Sequence, residues 1–317
     1  MDDFKKLLEQ SLNNIQNLAN NPEALPGVPT GFADLDRALG GFNNSDLIVV
    51  GARPAMGKTA LLVNMALKQS VEHHIPVLFY TFEKTQTQIV RLTLSSVAEI
   101  EGYKISNGML SADEWDALMN KVKVLWENVP LYIVDNPSAK ILQFCKDVKD
   151  GIANTDAKIV YIDNLQLFSS SLGYQNRYEE ISACTRELKH LAKELNIPIV
   201  MASQINRNPE HRDPRNIEHY QPYMYDLRDS GTICEDSNVV ILLDRPELKY
   251  HSYEDPCGND IRGLVEVNIA KNHMGREETI KLRFKPEFAR FDDWKDADYS
   301  DRLLDLYKNS DTTESPF

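Results

Sequence analysis

The sequence predicts an α/β fold, a mainly parallel sheet flanked by helices with antiparallel edge strands near the C-terminus. Three observations carry that prediction. From Asp46 onward, short apolar runs alternate with helical stretches, the pattern of a parallel sheet wrapped by crossover helices. After Asp260 the pattern changes: Val265, Val267 and Ile269 alternate with polar neighbours, as do Ile280, Leu282 and Phe284, which marks antiparallel strands at a sheet edge. The 317 residues, 42% of them hydrophobic, suffice for one large core plus a small appendage, since single cores stop growing near ~250–300 residues.

Taken in order, Phe4, Leu7, Leu8, Leu12, Ile15 and Leu18 form one apolar stripe at helical spacing. Asn20, Asn21, Pro22, Pro26, Gly27 and Pro29 follow as a breaker-rich linker, so this helix either packs on its own domain or needs a partner surface. Strands are expected at Leu47 to Gly51, Val77 to Phe82, Leu131 to Val134, Ile159 to Ile162, Ile199 to Ala202 and Val239 to Leu243. Between them, helices are expected from Thr59 to Glu72, Thr85 to Glu99, Ala112 to Glu127, Ala139 to Asp150 and Tyr178 to Asn196. Ser111 and Glu114 have the spacing of a capping box at the start of the third. The organisation expected is a linker helix over 1–24, one domain over 25–293 and an acidic tail over 294–317.

Composition excludes several classes. A formal charge of −13 argues against a protein that coats nucleic acid with its whole surface, while leaving room for a local basic groove or channel. Cys145, Cys184, Cys234 and Cys257 lie far apart, which predicts reduced thiols rather than a zinc site or a disulfide framework. The acidic start Met1-Asp2-Asp3 and the lack of a long apolar run predict no export signal or membrane span, and hence a cytoplasmic location.

The strongest chemical signal is Ala52-Arg53-Pro54-Ala55-Met56-Gly57-Lys58-Thr59, lying between an apolar strand and a helix. That order sets backbone N–H groups and a helix N-terminus around phosphates, with Lys58 reaching the β and γ oxygens and the Thr59 hydroxyl holding Mg²⁺. Its first slot is Ala52 where such loops carry glycine. Asp163 ends an apolar strand, as expected for a carboxylate that orders water around Mg²⁺. Glu83 ends the strand after the loop helix and could activate an attacking water, or form a surface ion pair. Gln204 ends another strand, where its amide could sense the γ-phosphate or serve as a plain loop residue.

Several further segments recur with these in order: Gly27-Val28-Pro29-Thr30-Gly31-Phe32 with Asp34-Leu35-Asp36, Ile162-Asp163-Asn164-Leu165-Gln166-Leu167, Ser203-Gln204-Ile205-Asn206-Arg207, Asp226-Leu227-Arg228-Asp229-Ser230-Gly231 and Arg290-Phe291-Asp292. From Leu25 to Asp293 the chain resembles the C-terminal motor domain of the DnaB-type bacterial and phage replicative helicases. The resemblance implies a RecA-like core of the phosphate-loop NTPase class, forming a homo-hexameric ring with ATP between subunits and single-stranded DNA in the channel. It implies that Lys58, Thr59 and Asp163 hold MgATP, Glu83 activates water, and Gln204 couples the γ-phosphate to the DNA loops. Arg207, Arg228, Asp229 and Gly231 would grip DNA, and the long stretch from Arg207 to Tyr225 would be a channel element. The N-terminal stripe would dock on the neighbouring subunit, and a loader or a primase would be the further partners.

Four departures from that family stand out. Only residues 1–24 precede the motor, so the collar that recruits primase is not expected in this chain. Lys271-Asn272-His273 stands where the family carries Lys-x-Arg, whose cations reach the neighbour's γ-phosphate; Lys271 with Arg276 is the expected substitute. Lys84 replaces an apolar residue after Glu83, and a cation beside a carboxylate stabilises its charged form and weakens it as a base. Asn164 replaces a tyrosine after Asp163. The leading expectation is an ATP-driven DNA helicase. The alternatives are a non-motor scaffold or helicase partner with weak ATPase, and a RecA-like recombination or regulatory ATPase.

Overall fold

A computed structural model describes residues 3–21, 24–126, 129–135, 140–169, 176–206, 222–227, 230–250, 252–255 and 258–295. Helix α1 (Phe4–Asn20) and the short α2 (Ala33–Leu39) precede β1 (Leu47–Ala52) and α3 (Lys58–Glu72). There follow β2 (Val77–Thr81), α4 (Gln86–Ala98), α5 (Gly102–Asn107), α6 (Ala112–Trp126), β3 (Leu131–Asp135), α7 (Ile141–Thr155) and β4 (Ile159–Asp163). The remainder is α8 (Arg177–Leu195), β5 (Ile199–Gln204), α9 (Ser230–Asp236), β6 (Val239–Asp244), α10 (Pro246–Tyr250), β7 (Leu264–Asn272), β8 (Thr279–Lys285) and β9 (Arg290–Asp293).

The strands join in one nine-stranded sheet of order β3-β2-β4-β5-β1-β6-β7-β8-β9. The first six are parallel, and β7 to β9 add antiparallel. Each strand's alternation divides its side chains between two cores. Ile48, Val50, Phe79, Tyr161, Val200 and Ile241 pack with α2 and α3 on one face. Val49, Tyr80, Ile162, Met201 and Leu242 pack with α7, α8 and α9 on the other. The expected strands and long helices agree with the observed ones to within a few residues; the largest discrepancy is α7, which continues past Asp150 to Thr155. The Ser111 capping box forms, with Ser111 N–H donating to Glu114 Oε2 over 2.9 Å and Glu114 N–H donating to Ser111 Oγ over 3.2 Å.

No residue of α1 is buried: Phe4 is 76% exposed and Ile15 62%. Its apolar stripe therefore has no partner surface within the described residues. At the other end, β7 runs back along β6, pairing Asp244 with Glu266 and Val239 with Asn272. The β7–β8 connection consequently lies at the sheet edge opposite the C-terminal ends of the parallel strands.

Candidate functional site

The phosphate loop connects β1 to α3 at the C-terminal edge of the sheet, where β2 and β4 also end. In parallel α/β sheets this edge is where ligands bind. Ala52 is the last residue of β1 and fully buried, pairing with Gln204 and Leu243. A residue in strand conformation needs no glycine, which accounts for alanine in the loop's first slot. Gly57 does need to be glycine: its φ is +94°, and an added Cβ would come within 3.1 Å of Phe291 and 3.2 Å of Phe284. Ala55 also has positive φ, at 64°, so the loop holds a conformation that side chains seldom adopt.

Two arginines tie that loop to the end of β6. Arg53 Nη2 donates to Asp244 Oδ1 over 2.8 Å, and both side chains are almost wholly buried. Arg245 donates to the Ala55 carbonyl over 3.4 Å, is ion-paired with Glu247, and lies 5.2 Å from the Phe284 ring centroid. Removing one partner of a buried ion pair leaves an uncompensated charge. Asp244→Ala is therefore expected to cost about 3–5 kcal/mol in a denaturant titration. Asp244 and Arg245 carried no signal in the sequence reading, because Asp244 is 191 residues from the arginine it binds.

Within the loop's reach lies a cavity of about 420 Å³. Its lining includes Arg53, Lys58, Thr59, Glu83, Asn164 and Gln204. Pro54, Ala55 and Gly57 complete the loop's share, Lys84 and Arg245 line the same space, and Met56 is buried in the core. The site residues contributed by β1, β2, β4 and β5 thus converge. Thr59 Oγ1 donates to Asp163 Oδ2 over 2.7 Å. The β2 end is fastened to the same point, since Phe82 N–H donates to the Asp163 carbonyl over 2.8 Å. Asn164 Nδ2 donates to Glu83 Oε2 over 2.9 Å. Gln204 is tied in through Gln166, whose Oε1 accepts from Gln204 N–H over 3.0 Å while its Nε2 donates to Ser203 Oγ over 2.9 Å. Arg177, at the start of α8, donates to the Gln166 carbonyl over 2.7 Å. Nothing near Gln166 and Asn164 in the sequence marks these bonds, because their partners Gln204 and Glu83 are 38 and 81 residues away, respectively.

The electrostatics fit a polyanion and a dication. Burial pushes the Asp163 carboxyl up, against the Thr59 hydrogen bond and the Lys58 charge, and pushes the Lys58 ammonium down. Asp163 Oδ1 is buried and, among the described residues, has no hydrogen-bond partner. A hydroxyl and a carboxylate side by side are the hard oxygen donors that Mg²⁺ takes. Because the folded pKa of Asp163 lies above its unfolded value, its contribution to stability is present below about pH 3.8 and lost as pH rises through the folded value. A charge on Asp163 therefore costs the nucleotide-free fold stability. Asp163→Asn keeps an acceptor for Thr59 and removes that charge. It is expected to raise Tm at neutral pH, with the gain shrinking as pH falls towards the carboxylate range, while nucleotide hydrolysis is lost.

Among the described residues, the remaining predicted site residues lie apart. Lys271 Nζ donates to the carbonyls of Cys234 over 2.6 Å, Ser237 over 2.7 Å and Glu235 over 3.3 Å, closing the C-terminus of α9. Its ammonium is committed there, which sets it apart from the exposed Arg276 expected to act with it. Arg276 and His273 lie in the β7–β8 connection. Gly231 opens α9 against Tyr178, whose hydroxyl would be 2.4 Å from an added Cβ, so close packing requires glycine there. Arg207, Arg228 and Asp229 fall outside the described residues.

The fold and this cradle together define a phosphate-loop nucleotide-binding protein of RecA-like architecture. The chain belongs to the family described as DnaB-like helicase C-terminal domain, whose model matches residues 27–293. It is 33% identical over 303 residues to the replicative DNA helicase DnaB of Buchnera aphidicola subsp. Baizongia pistaciae, covering 94% of this chain and 62% of that protein. It is 32% identical over 292 residues to DnaB of Geobacillus stearothermophilus, covering 91% of this chain and 61% of that one. The chain thus spans less than two thirds of the length of these relatives. Among solved structures, the ATPase domain of G40P matches with a TM-score of 0.81 at 25% identity, covering 93% of this chain and all of that one. A DnaB-like replicative helicase, solved with its interactions with primase, matches with a TM-score of 0.79 at 25% identity, covering 93% of this chain and 68% of that one. Among the described residues, no helix is long and apolar enough to cross a membrane.

Proposed function

We propose that this chain is the motor of an ATP-dependent DNA helicase of the DnaB type, a hexameric ring that moves along single-stranded DNA by hydrolysing ATP. The observation that carries the reading is the convergence of Lys58, the Thr59–Asp163 pair, Glu83 and Gln204 on one cavity. Backbone N–H groups of the loop and the Lys58 ammonium bind and orient the phosphates. Thr59 and Asp163 would hold Mg²⁺, which supplies charge neutralisation at the phosphate oxygens. Glu83 accepts a proton from the water that attacks the γ-phosphorus, and the bond to the β-phosphate oxygen breaks to give ADP and phosphate. Gln204 follows the γ-phosphate and, through Gln166, carries its presence to the start of α8 and to the chain beyond β5.

In this reading residues 25–293 form the motor domain, preceded by the linker over 1–24 and followed by the acidic tail over 294–317. Helix α1, with its exposed apolar stripe, docks on the next subunit of the ring. Arg207, Arg228, Asp229 and Gly231 belong to the segments that grip the DNA backbone. Primase or a loader is the further partner, and the cytoplasm of a bacterial or phage-infected cell is the location. Unwinding of a forked duplex by the purified protein, lost in Lys58→Ala and Glu83→Gln, tests this reading.

Two observations favour a second reading, a non-motor scaffold that binds ATP and DNA. Lys271 is occupied by α9 carbonyls, and His273 stands where the resemblance calls for an arginine. Tight ATP-dependent DNA binding without unwinding would favour the scaffold.

A further inference from the structure

The Glu83 carboxylate is exposed at the mouth of the cavity, on the turn that follows β2. That turn is closed by Thr81, whose hydroxyl donates to the Lys84 carbonyl over 2.6 Å and accepts from Lys84 N–H over 3.1 Å. The backbone of the turn is thereby fixed, but the Glu83 side chain is not. Among the described residues, the one side-chain hydrogen bond to its carboxylate comes from Asn164, at 2.9 Å. Lys84, the next residue, lines the same cavity, so a cation sits close to a carboxylate whose direction matters.

Asn164 is itself oddly chosen for stability. It is 8% exposed, and its Oδ1 is buried and, among the described residues, has no hydrogen-bond partner. The amide cannot be turned over to relieve this, because an ionised carboxylate only accepts and so the nitrogen must face Glu83. A leucine would fill similar volume with no unmet polar atom. A buried polar group left half satisfied at a fold's expense points to a role in function.

We propose that Asn164 is a positioning residue for nucleotide hydrolysis: its amide holds one oxygen of Glu83, aiming the other at the attacking water and keeping the carboxylate from swinging onto Lys84. The assignment rests on the reading of Glu83 as general base. It also joins the two departures around Glu83: Lys84 is a competitor for the carboxylate, and Asn164 is the group that restrains it.

Steady-state ATPase kinetics of Asn164→Leu and Asn164→Ala, with thermal unfolding and fluorescent-nucleotide binding of the same proteins, test the assignment. The expected result is a kcat reduced by roughly 10- to 100-fold in both, the scale of a misplaced reacting group. KM and nucleotide affinity stay near wild type, and Tm in the leucine variant is equal to wild type or higher. Two variants of different volume separate positioning from packing, because both lose the donor and only alanine leaves a cavity. A kcat that falls in step with Tm, lower in alanine than in leucine, would overturn the assignment. So would an unchanged kcat in Asn164→Leu alongside an inactive Glu83→Gln. A wild-type protein without nucleotide hydrolysis would instead overturn the reading of the whole site.

Discussion

Arg276→Ala is expected to lower DNA-stimulated ATP hydrolysis by roughly 10³-fold or more, the scale of a trans-acting arginine in related NTPases. The argument begins with topology. β7 runs from the level of Asp244 to that of Val239, and on β1 the register from Leu243 to Val239 corresponds to Ala52 back to Ile48. At about 3.3 Å per residue, the β7–β8 connection lies more than ~13 Å along the sheet from the chain's own phosphate loop. Arg276 cannot reach its own γ-phosphate and is exposed at the opposite edge, where a neighbouring subunit's site would meet it. Lys271 is a poor substitute, since its ammonium closes α9. Lys271→Met is accordingly expected to lower Tm, whereas Arg276→Ala leaves Tm unchanged. A mixture of Arg276→Ala and Lys58→Ala subunits separates trans from cis action. Each variant alone is inactive, and mixed rings regain activity by pairing an intact loop with an intact arginine. Undiminished hydrolysis by Arg276→Ala would leave His273 or another cation to account for any activity.

The contrast between these two cations shows what the sequence conveys. The phosphate loop, the six parallel strands and the long helices are local patterns, readable because apolar periodicity and turn residues act over a few positions. Short elements escaped: α2 has seven residues and β9 four, too few for periodicity to separate them from loop. What determines the site's chemistry is mostly non-local. Lys271 looked like a free cation because nothing within its own strand shows that α9 ends beside it, some 34 to 37 residues earlier in the chain. Arg53 stood in the loop with no sign that its guanidinium is fixed to Asp244. Asn164 read as the loss of a tyrosine, yet it is the donor that restrains Glu83. Conversely, the segment around Thr30 and Asp36, noticed only through resemblance, has a structural account: Asp36 accepts from Thr30 N–H over 2.6 Å and Gly31 N–H over 3.2 Å, fixing the entry into α2.

Glu83→Gln is expected to reduce kcat for ATP by about 10²–10⁴-fold, the contribution of a positioned general base, while nucleotide affinity and assembly stay intact. Glutamine has nearly the same shape, and its carbonyl still accepts from Asn164, so the ground-state geometry survives. What disappears is the capacity to take a proton. Lys58, Thr59 and Asp163 are untouched, and the phosphates should bind as before. A loss confined to kcat would separate the base from the cradle, as expected for an interaction made in the transition state. A matching rise in KM would instead place Glu83 among the groups that hold the nucleotide. The comparison with Asn164→Leu then sets the scale of positioning. If Asn164 acts only through Glu83, the double variant should be no slower than Glu83→Gln alone, because a donor that aims a base has nothing to add once the base is gone. Multiplying effects would show that Asn164 contributes by a route independent of Glu83, and the turn after β2 would then lose its place as the point where the two departures of this chain meet.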